Sequence, residues 1–272
     1  ENEVVDAINT QHENVPYLKG VQLEKSITAT SDYKTVAQND ILLLVPPAQH
    51  LRAILNNAKP YIKAETPVVI CAKGIEIISL KLLSEIAEEI LPDNHVAILS
   101  GPTFAREVAL NMPTAITIAT KDQNLGTNLV NIIGTKTFRP YLSDDVIGVE
   151  ISGAVKNVIA IACGIVSGLN LGDNARASLM TRGLAEIARL SLKMGAKKET
   201  LMGLSGLGDL ALTCNNMQSR NFSLGVMLGQ GQKLEDVLAH RTAVTEGVDT
   251  ATALYKLATK NGVEMPIAFA IY

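Results

Sequence analysis

The chain has 272 residues, a formal net charge of −3, 47% hydrophobic residues and 19% charged ones. That length can bury more than one core and is expected to form two domains. The weak charge supplies no field that would draw the chain to nucleic acid or an anionic membrane, and its longest unbroken apolar run, Val158 to Val166, is far shorter than the ~20 residues of a membrane-spanning helix.

The opening stretch ENEVVDAINTQH already carries a helical pattern at its first residue. The closing PIAFAIY reads as an interrupted element. The chain is therefore expected to continue at both ends, and a targeting segment could precede it. Five apolar or β-branched runs follow the opening helix, at 40–47, 67–74, 95–102, 114–120 and 137–145. Their apolarity is continuous rather than alternating, as in strands covered on both faces. Helical patterns lie between them. In SLKLLSEIAEEIL, residues Leu80, Leu83, Ile86 and Ile90 fall close to one face and Glu85, Glu88 and Glu89 elsewhere. Strand–helix alternation predicts a parallel α/β sheet over residues 1–148, with ligands at the carboxyl ends of its strands.

After residue 148 the strand runs stop. Helical patterns cover 149–167, 174–194, 199–213, 220–229, 234–239 and 246–261, which predicts an all-α domain over 149–272. Asp173 and Asn174 mark one helix start and Gly195 its end. A parallel-sheet domain of this kind usually opens with a glycine-rich βα turn that holds a pyrophosphate. No G-x-G-x-x-G follows a strand in this chain. Such a loop, if the protein has one, stands before Glu1, and a chain without it is expected to bind dinucleotide poorly.

Lys156 lies in EISGAVKNVIAIACGIVSGL, a run otherwise nearly all apolar. Its stem could snorkel to the surface. Alternatively, a desolvated amine has a lowered pKa and exchanges a proton near neutral pH with a carbonyl/alcohol pair. Asn157 beside it is either a surface amide or a donor to a substrate oxygen. Lys73 stands just past a strand end, where it is a solvated loop residue or a ligand contact, and Gly74 permits close approach of backbone. In SGPTFAREVA, Gly101 and Pro102 form a turn, Thr103 is a candidate cap and Glu107 lies in the first turn. Capping explains most of this stretch, although free N–H groups there could face an anion.

GLSGLGDLALTCNNMQSRN is the most unusual stretch. Gly203, Gly206 and Gly208 approach a helix that starts near Asp209, and Thr213 shares its face four residues on. Asp209 is a dipole-favoured first-turn acid or a site carboxylate. Arg220 and Asn221 offer a forked cation and an amide that suit phosphate oxygens, or are simply solvated. In TAVTEGVDTA, Thr245 is a candidate cap and Glu246 either compensates the helix dipole or takes a ribose or amide. His12, His50, His95 and His240 are scattered, and no metal is expected. Cys71, Cys163 and Cys214 are widely separated and read as small core residues in a reducing compartment, most simply the cytoplasm.

The blocks KG at 73–74, SGPTFAREVA, EISGAVKNVIAIACGI, GLGDLALTC and SRNFSLG, in this order across the chain, resemble the signature blocks of the bacterial type of NAD(P)-dependent sn-glycerol-3-phosphate dehydrogenase. The resemblance implies a Rossmann domain followed by a helical domain like that of 6-phosphogluconate dehydrogenase. It implies NAD or NADP as cofactor and reversible reduction of dihydroxyacetone phosphate, feeding phospholipid synthesis. On matching positions, Lys156 would be the proton donor and acceptor, Lys73 would contact substrate and cofactor, and Asp209 with Thr213 would position substrate and lysine. Ser219, Arg220 and Asn221 would surround the phosphate, with Arg220 also touching the cofactor. Gly101 and Thr103 would line the substrate pocket, and Tyr17, Ala105, Val244 and Glu246 would contact the dinucleotide. Lys19 stands where the family commonly has proline and Pro47 where it has serine, which bears only on local loop shape. A related two-domain β-hydroxyacid dehydrogenase is an alternative, although such enzymes recognise a carboxylate. A non-catalytic dinucleotide-binding regulator is another. A homodimer is expected because symmetric dimers are the commonest oligomers.

Overall fold

A computed structural model describes residues 2–241 and 243–272. Glu1, where the opening helical pattern begins, and Thr242, the first residue of TAVTEGVDTA, lie outside the described residues. The first half holds five strands, β1 (Leu42–Leu44), β2 (Val68–Ile70), β3 (Val96–Ser100), β4 (Thr114–Ala119) and β5 (Phe138–Ser143), in the spatial order β1-β2-β3-β4-β5. Around them lie α1 (Asn2–Gln11), α2 (Tyr33–Ala37), α3 (Leu51–Ala58), α4 (Leu83–Ile90), α5 (Ala105–Ala109) and α6 (Gln123–Ile133).

All five runs read as strands form strands, but the sheet is not wholly parallel. β1, β2 and β3 run parallel, with Leu42 opposite Val68 and Val68 opposite Val96. β4 is antiparallel to β3, with Leu99 opposite Ile118, and β5 is again parallel to β4. The reversal follows from the connection. A parallel crossover needs a dozen or more residues and usually a helix spanning the sheet. The β3–β4 link contains only α5, a helix of 5 residues, too short to carry the chain back along the sheet. β2 is buried on both faces, as its apolar run predicts. Leu43 of β1 is exposed, because β1 is the sheet's edge. One face packs Leu51, Leu55, Ile86 and Val149 against Leu42, Val68 and Ile70. The other face packs Leu125 and Leu129 of α6 against Val69, Ala97 and Ile116.

The second half is helical: α7 (Val146–Gly168), α8 (Asp173–Lys193), α9 (Lys198–Leu201), α10 (Asp209–Cys214), α11 (Arg220–Gly229), α12 (Leu234–Ala239), α13 (Glu246–Lys260) and α14 (Pro266–Ile271). α7 starts three residues before the predicted run, because Asp145 caps it by accepting from Gly148 N at 2.9 Å. By length and composition α7 could cross a membrane, yet 94% of its most apolar window is buried inside the protein. It is the axle of the half: α8, α10, α11 and α13 all pack on it.

Local readings differ in four places. α4 begins at Leu83 rather than near Ser79, since Leu80 sits at a φ of 59° outside any helix. The run 199–213 is broken into α9, a π-helical turn at 204–208 and α10. Thr103 does not cap α5: Phe104 holds that position and the Thr103 hydroxyl donates to Gly101 O instead. Thr245 occupies the cap position of α13 without a capping bond, and its hydroxyl accepts from Arg241. Cys163 and Cys214 are buried, and all three cysteines are free thiols.

Candidate active site

Three charged side chains meet where the two halves join. Lys156, midway along α7, donates from Nζ to Asp209 Oδ1 at 2.6 Å and to Thr213 Oγ1 at 2.8 Å. Lys73, just past the carboxyl end of β2, donates to Asp209 Oδ2 at 2.7 Å and lies 3.4 Å from Gly101 O. One carboxylate therefore bridges an amine from each half. The snorkelling alternative for Lys156 fails, since the residue is 6% exposed.

The local fold explains how Asp209 arrives there. The π-helical turn at 204–208 widens the chain just before α10 and delivers Asp209 onto α7. It closes so tightly that a Cβ on Gly206 would lie 2.2 Å from Leu201 O. Such single π turns recur at functional sites. One turn later Thr213 donates to Asp209 O at 2.6 Å, which fixes its hydroxyl oxygen toward the Lys156 amine.

The electrostatics follow from burial and from the shared carboxylate. Burial, and then the nearby Lys73 cation, lower the Lys156 pKa to about 8, while Asp209 limits the fall. Burial pushes the Asp209 carboxyl up, but the Lys73 and Lys156 cations overcome it and hold its pKa below the usual carboxylate range. An amine that titrates near 8 exchanges protons readily at physiological pH.

Around this centre, Gly101 adopts a φ of +149° that favours glycine, and Gly153 of α7 faces Ser100 and the Lys73 stem. The hydroxyls of Ser100 and Ser152 are buried beside the lysines without hydrogen-bond partners. Ser100 opens the SGPT turn that also holds Gly101 and Thr103, and it is not among the residues expected from sequence. Its place at the carboxyl end of β3 was the available signal. Asn157 is 5% exposed, and its carboxamide makes no hydrogen bond among the described residues.

A second cluster lies where the N-termini of α11 and α13 converge. Ser219 caps α11, its Oγ accepting from Phe222 N at 3.2 Å. Asn221 reaches across to α13, where its Oδ1 accepts from Gly247 N at 2.9 Å, leaving its amide N–H groups free to donate. Arg220 is exposed, and its guanidinium forms no hydrogen bond or ion pair among the described residues. It does not touch the lysine–aspartate centre. Glu246 Oε1 accepts from Ala48 N at 3.1 Å across the two halves, while Oε2 is buried without a partner. Burial pushes this carboxyl up to about 7 against the Ala48 N–H. Val244 is exposed in the loop before α13. Tyr17 is exposed after α1 and Ala105 opens α5; Arg106 ties these two regions by donating to Lys19 O at 2.9 Å. No group of three or more His, Cys, Asp and Glu side chains that could hold a metal occurs among the described residues.

A sheet whose strand ends meet a helical half that contributes a buried amine is the plan of two-domain NAD(P)-dependent oxidoreductases, and this chain follows it. Comparison with known proteins makes the assignment specific. A family model described as NAD-dependent glycerol-3-phosphate dehydrogenase N-terminus matches residues 1–126, and its C-terminus counterpart matches residues 145–272. The chain belongs to the NAD-dependent glycerol-3-phosphate dehydrogenase family. Glycerol-3-phosphate dehydrogenase [NAD(P)+] of Parvibaculum lavamentivorans is 55% identical over all of this chain and 81% of the relative. The protein of the same name from Rhodospirillum rubrum is 56% identical over all of this chain and 78% of the relative. The crystal structure of glycerol-3-phosphate dehydrogenase from Coxiella burnetii superposes with a TM-score of 0.96 at 38% identity, covering this whole chain and 83% of that one.

Proposed function

We propose that this chain carries out its family's reaction, the interconversion of dihydroxyacetone phosphate and sn-glycerol 3-phosphate, with Lys156 as the proton-exchanging group. The observation that carries the proposal is the buried Asp209 carboxylate holding Lys156 and Lys73 at 2.6 and 2.7 Å. Bound NAD(P)H supplies the hydride that reaches C2 of the ketone. As negative charge grows on the carbonyl oxygen, the Lys156 cation stabilises it and then donates its proton there. In the reverse direction neutral Lys156 takes the alcohol proton. Thr213 and Asp209 hold the amine in place, and Lys73 adds a second cation at the mouth of the centre. The free hydroxyls and amide of Ser100, Ser152 and Asn157 are suited to the substrate's own hydroxyl groups. Gly101, whose carbonyl lies beside the Lys73 amine, and Thr103, bonded to that carbonyl, would line the substrate pocket.

The phosphate fits the α11 N-terminus, where free backbone N–H groups, Arg220 and the Asn221 amide coincide beside Ser219. Holding it there orients the carbon that reacts, so binding energy remote from the chemistry lowers the barrier. The residues suited to hold the dinucleotide come from the segment after α1, the stretches following β2 and β3, and the starts of α11 and α13. They are Tyr17, Lys73, Ala105, Arg220, Val244 and Glu246, the last with an unsatisfied oxygen ready to accept from a ribose or amide. The product's use in phospholipid synthesis, a homodimeric assembly and a cytoplasmic setting complete the proposal; three free thiols are in keeping with a reducing compartment.

The pH profile tests the acid–base assignment. Reduction needs the Lys156 cation, so kcat/KM for dihydroxyacetone phosphate falls as pH rises through about 8. Oxidation needs the neutral amine, so kcat/KM for glycerol 3-phosphate rises through the same region. Profiles flat between pH 7 and 9 in both directions would contradict the role.

A further inference from the structure

We infer that Arg241 is a positioning residue for the phosphate grip, holding the first turn of α11 and the approach to α13 so that Arg220 and Asn221 face the substrate together. This rests on the reading of Arg220 and Asn221 as phosphate contacts. Arg241 lies in the loop before α13, outside every block that pointed to function. Its guanidinium binds four acceptors on two elements. Nη1 donates to Arg220 O at 2.6 Å and to Thr245 Oγ1 at 3.3 Å. Nη2 donates to Ser223 Oγ at 3.0 Å and approaches Met227 Sδ at 3.8 Å.

The pairing is unusual for an arginine. None of the four acceptors is a carboxylate, and among the described residues Arg241 has no ion pair. Burial and the neighbouring Arg220 cation both weigh against its charge. The Arg220 cation feels the Glu246 carboxylate, but Arg241 beside it has no carboxylate of its own, and a structural tie alone does not need such a second cation at one helix N-terminus. A dianionic phosphate does, because the summed positive potential attracts it and the fork fixes the backbone that receives it. The Asn221–Gly247 bond runs parallel to the Arg241 bridge. The two links together lock the N-termini of α11 and α13 at a fixed separation. One ammonium nitrogen can take the place of Nη1 but not of Nη1 and Nη2 together, so lysine would leave Ser223 Oγ or the Arg220–Thr245 bridge unheld.

The test compares dihydroxyacetone phosphate with dihydroxyacetone, which lacks the phosphate. In Arg241→Met, kcat/KM for the phosphorylated substrate is expected to fall about tenfold, mainly through KM, while the value for dihydroxyacetone stays within about twofold. Arg241→Lys recovers only part of the loss. Because Arg241 acts through Arg220 and Asn221, the double variant with Arg220→Ala loses less than the sum of the two single losses. If Arg241→Met does not fold, Arg241→Gln, which keeps a donor for the Arg220 carbonyl, is measured with the same expectation. Should Arg220→Ala lower the ratio between the two substrates while the Arg241 variant leaves it unchanged, or lowers both substrates equally, the inference is overturned and the phosphate reading stands. Should Arg220→Ala itself leave the ratio unchanged, the phosphate reading falls and the inference with it.

Discussion

Asp209 serves two lysines at once, one with each oxygen. The arrangement tunes Lys156 from both sides: burial and the Lys73 cation draw its pKa down, and the carboxylate draws it back. Replacing Asp209 with asparagine removes the carboxylate that opposes the fall. The kcat/KM limb for reduction is then expected to move to more acidic pH, on the order of one unit. The same substitution leaves the buried Lys156 amine without its carboxylate and is expected to lower stability by about 3–5 kcal/mol, read by chemical denaturation. An unmoved limb would separate Asp209 from the tuning of Lys156. Much of this centre was legible in the chain. Lys156 announced itself as a lone cation in an apolar run, and the spacing of Asp209 and Thr213 put them on one face. The double use of Asp209 was not legible, because its partners lie in distant segments and no local pattern encodes that meeting. The same holds for Arg241, whose role exists only through contacts between a loop and a helix turn.

The helix pair α7 and α11 sets the distance between the Lys156 amine and the Arg220–Asn221 cluster. The two axes approach closely because glycines face each other. A Cβ on Gly164 would lie 2.2 Å from Phe222 O, and one on Gly225 would lie 2.1 Å from Ile161 O. Each contact is with backbone, which cannot swing aside as a side chain would. Gly225→Ala is therefore expected to push α11 outward, costing about 1–3 kcal/mol in thermal or chemical unfolding and raising KM for the phosphorylated substrate. An unchanged melting temperature with unchanged KM would show that the two helices can separate freely. The helices and strands themselves were mostly readable, since long periodic runs and β-branched runs carry strong local signals. Strand direction was not. The antiparallel β3–β4 pairing depends on the shortness of α5, and propensity says nothing of direction. The π-helical turn before α10 was also hidden, although the glycines that permit it were conspicuous.

The two halves are joined by polar contacts as well as packing. Lys73 crosses to Asp209, Glu246 accepts from Ala48 N, and Glu150 of α7 accepts from Ser84 N and its hydroxyl at the start of α4. Burial pushes the Glu150 carboxyl up to about 7, against the two Ser84 bonds. The change from strand-bearing to helical grammar near residue 148 was visible in the sequence. That the site is built across this joint was visible only as the expectation that ligands sit at strand ends. The reading depends on Lys156 doing chemistry rather than supporting the fold. The most direct measurement is single-turnover oxidation of bound NADH or NADPH by saturating dihydroxyacetone phosphate in Lys156→Met, alongside dinucleotide affinity by fluorescence titration. The expected result is a rate reduced by about 10² to 10⁴ with affinity nearly unchanged. A variant that turns over at the wild-type rate would contradict the account.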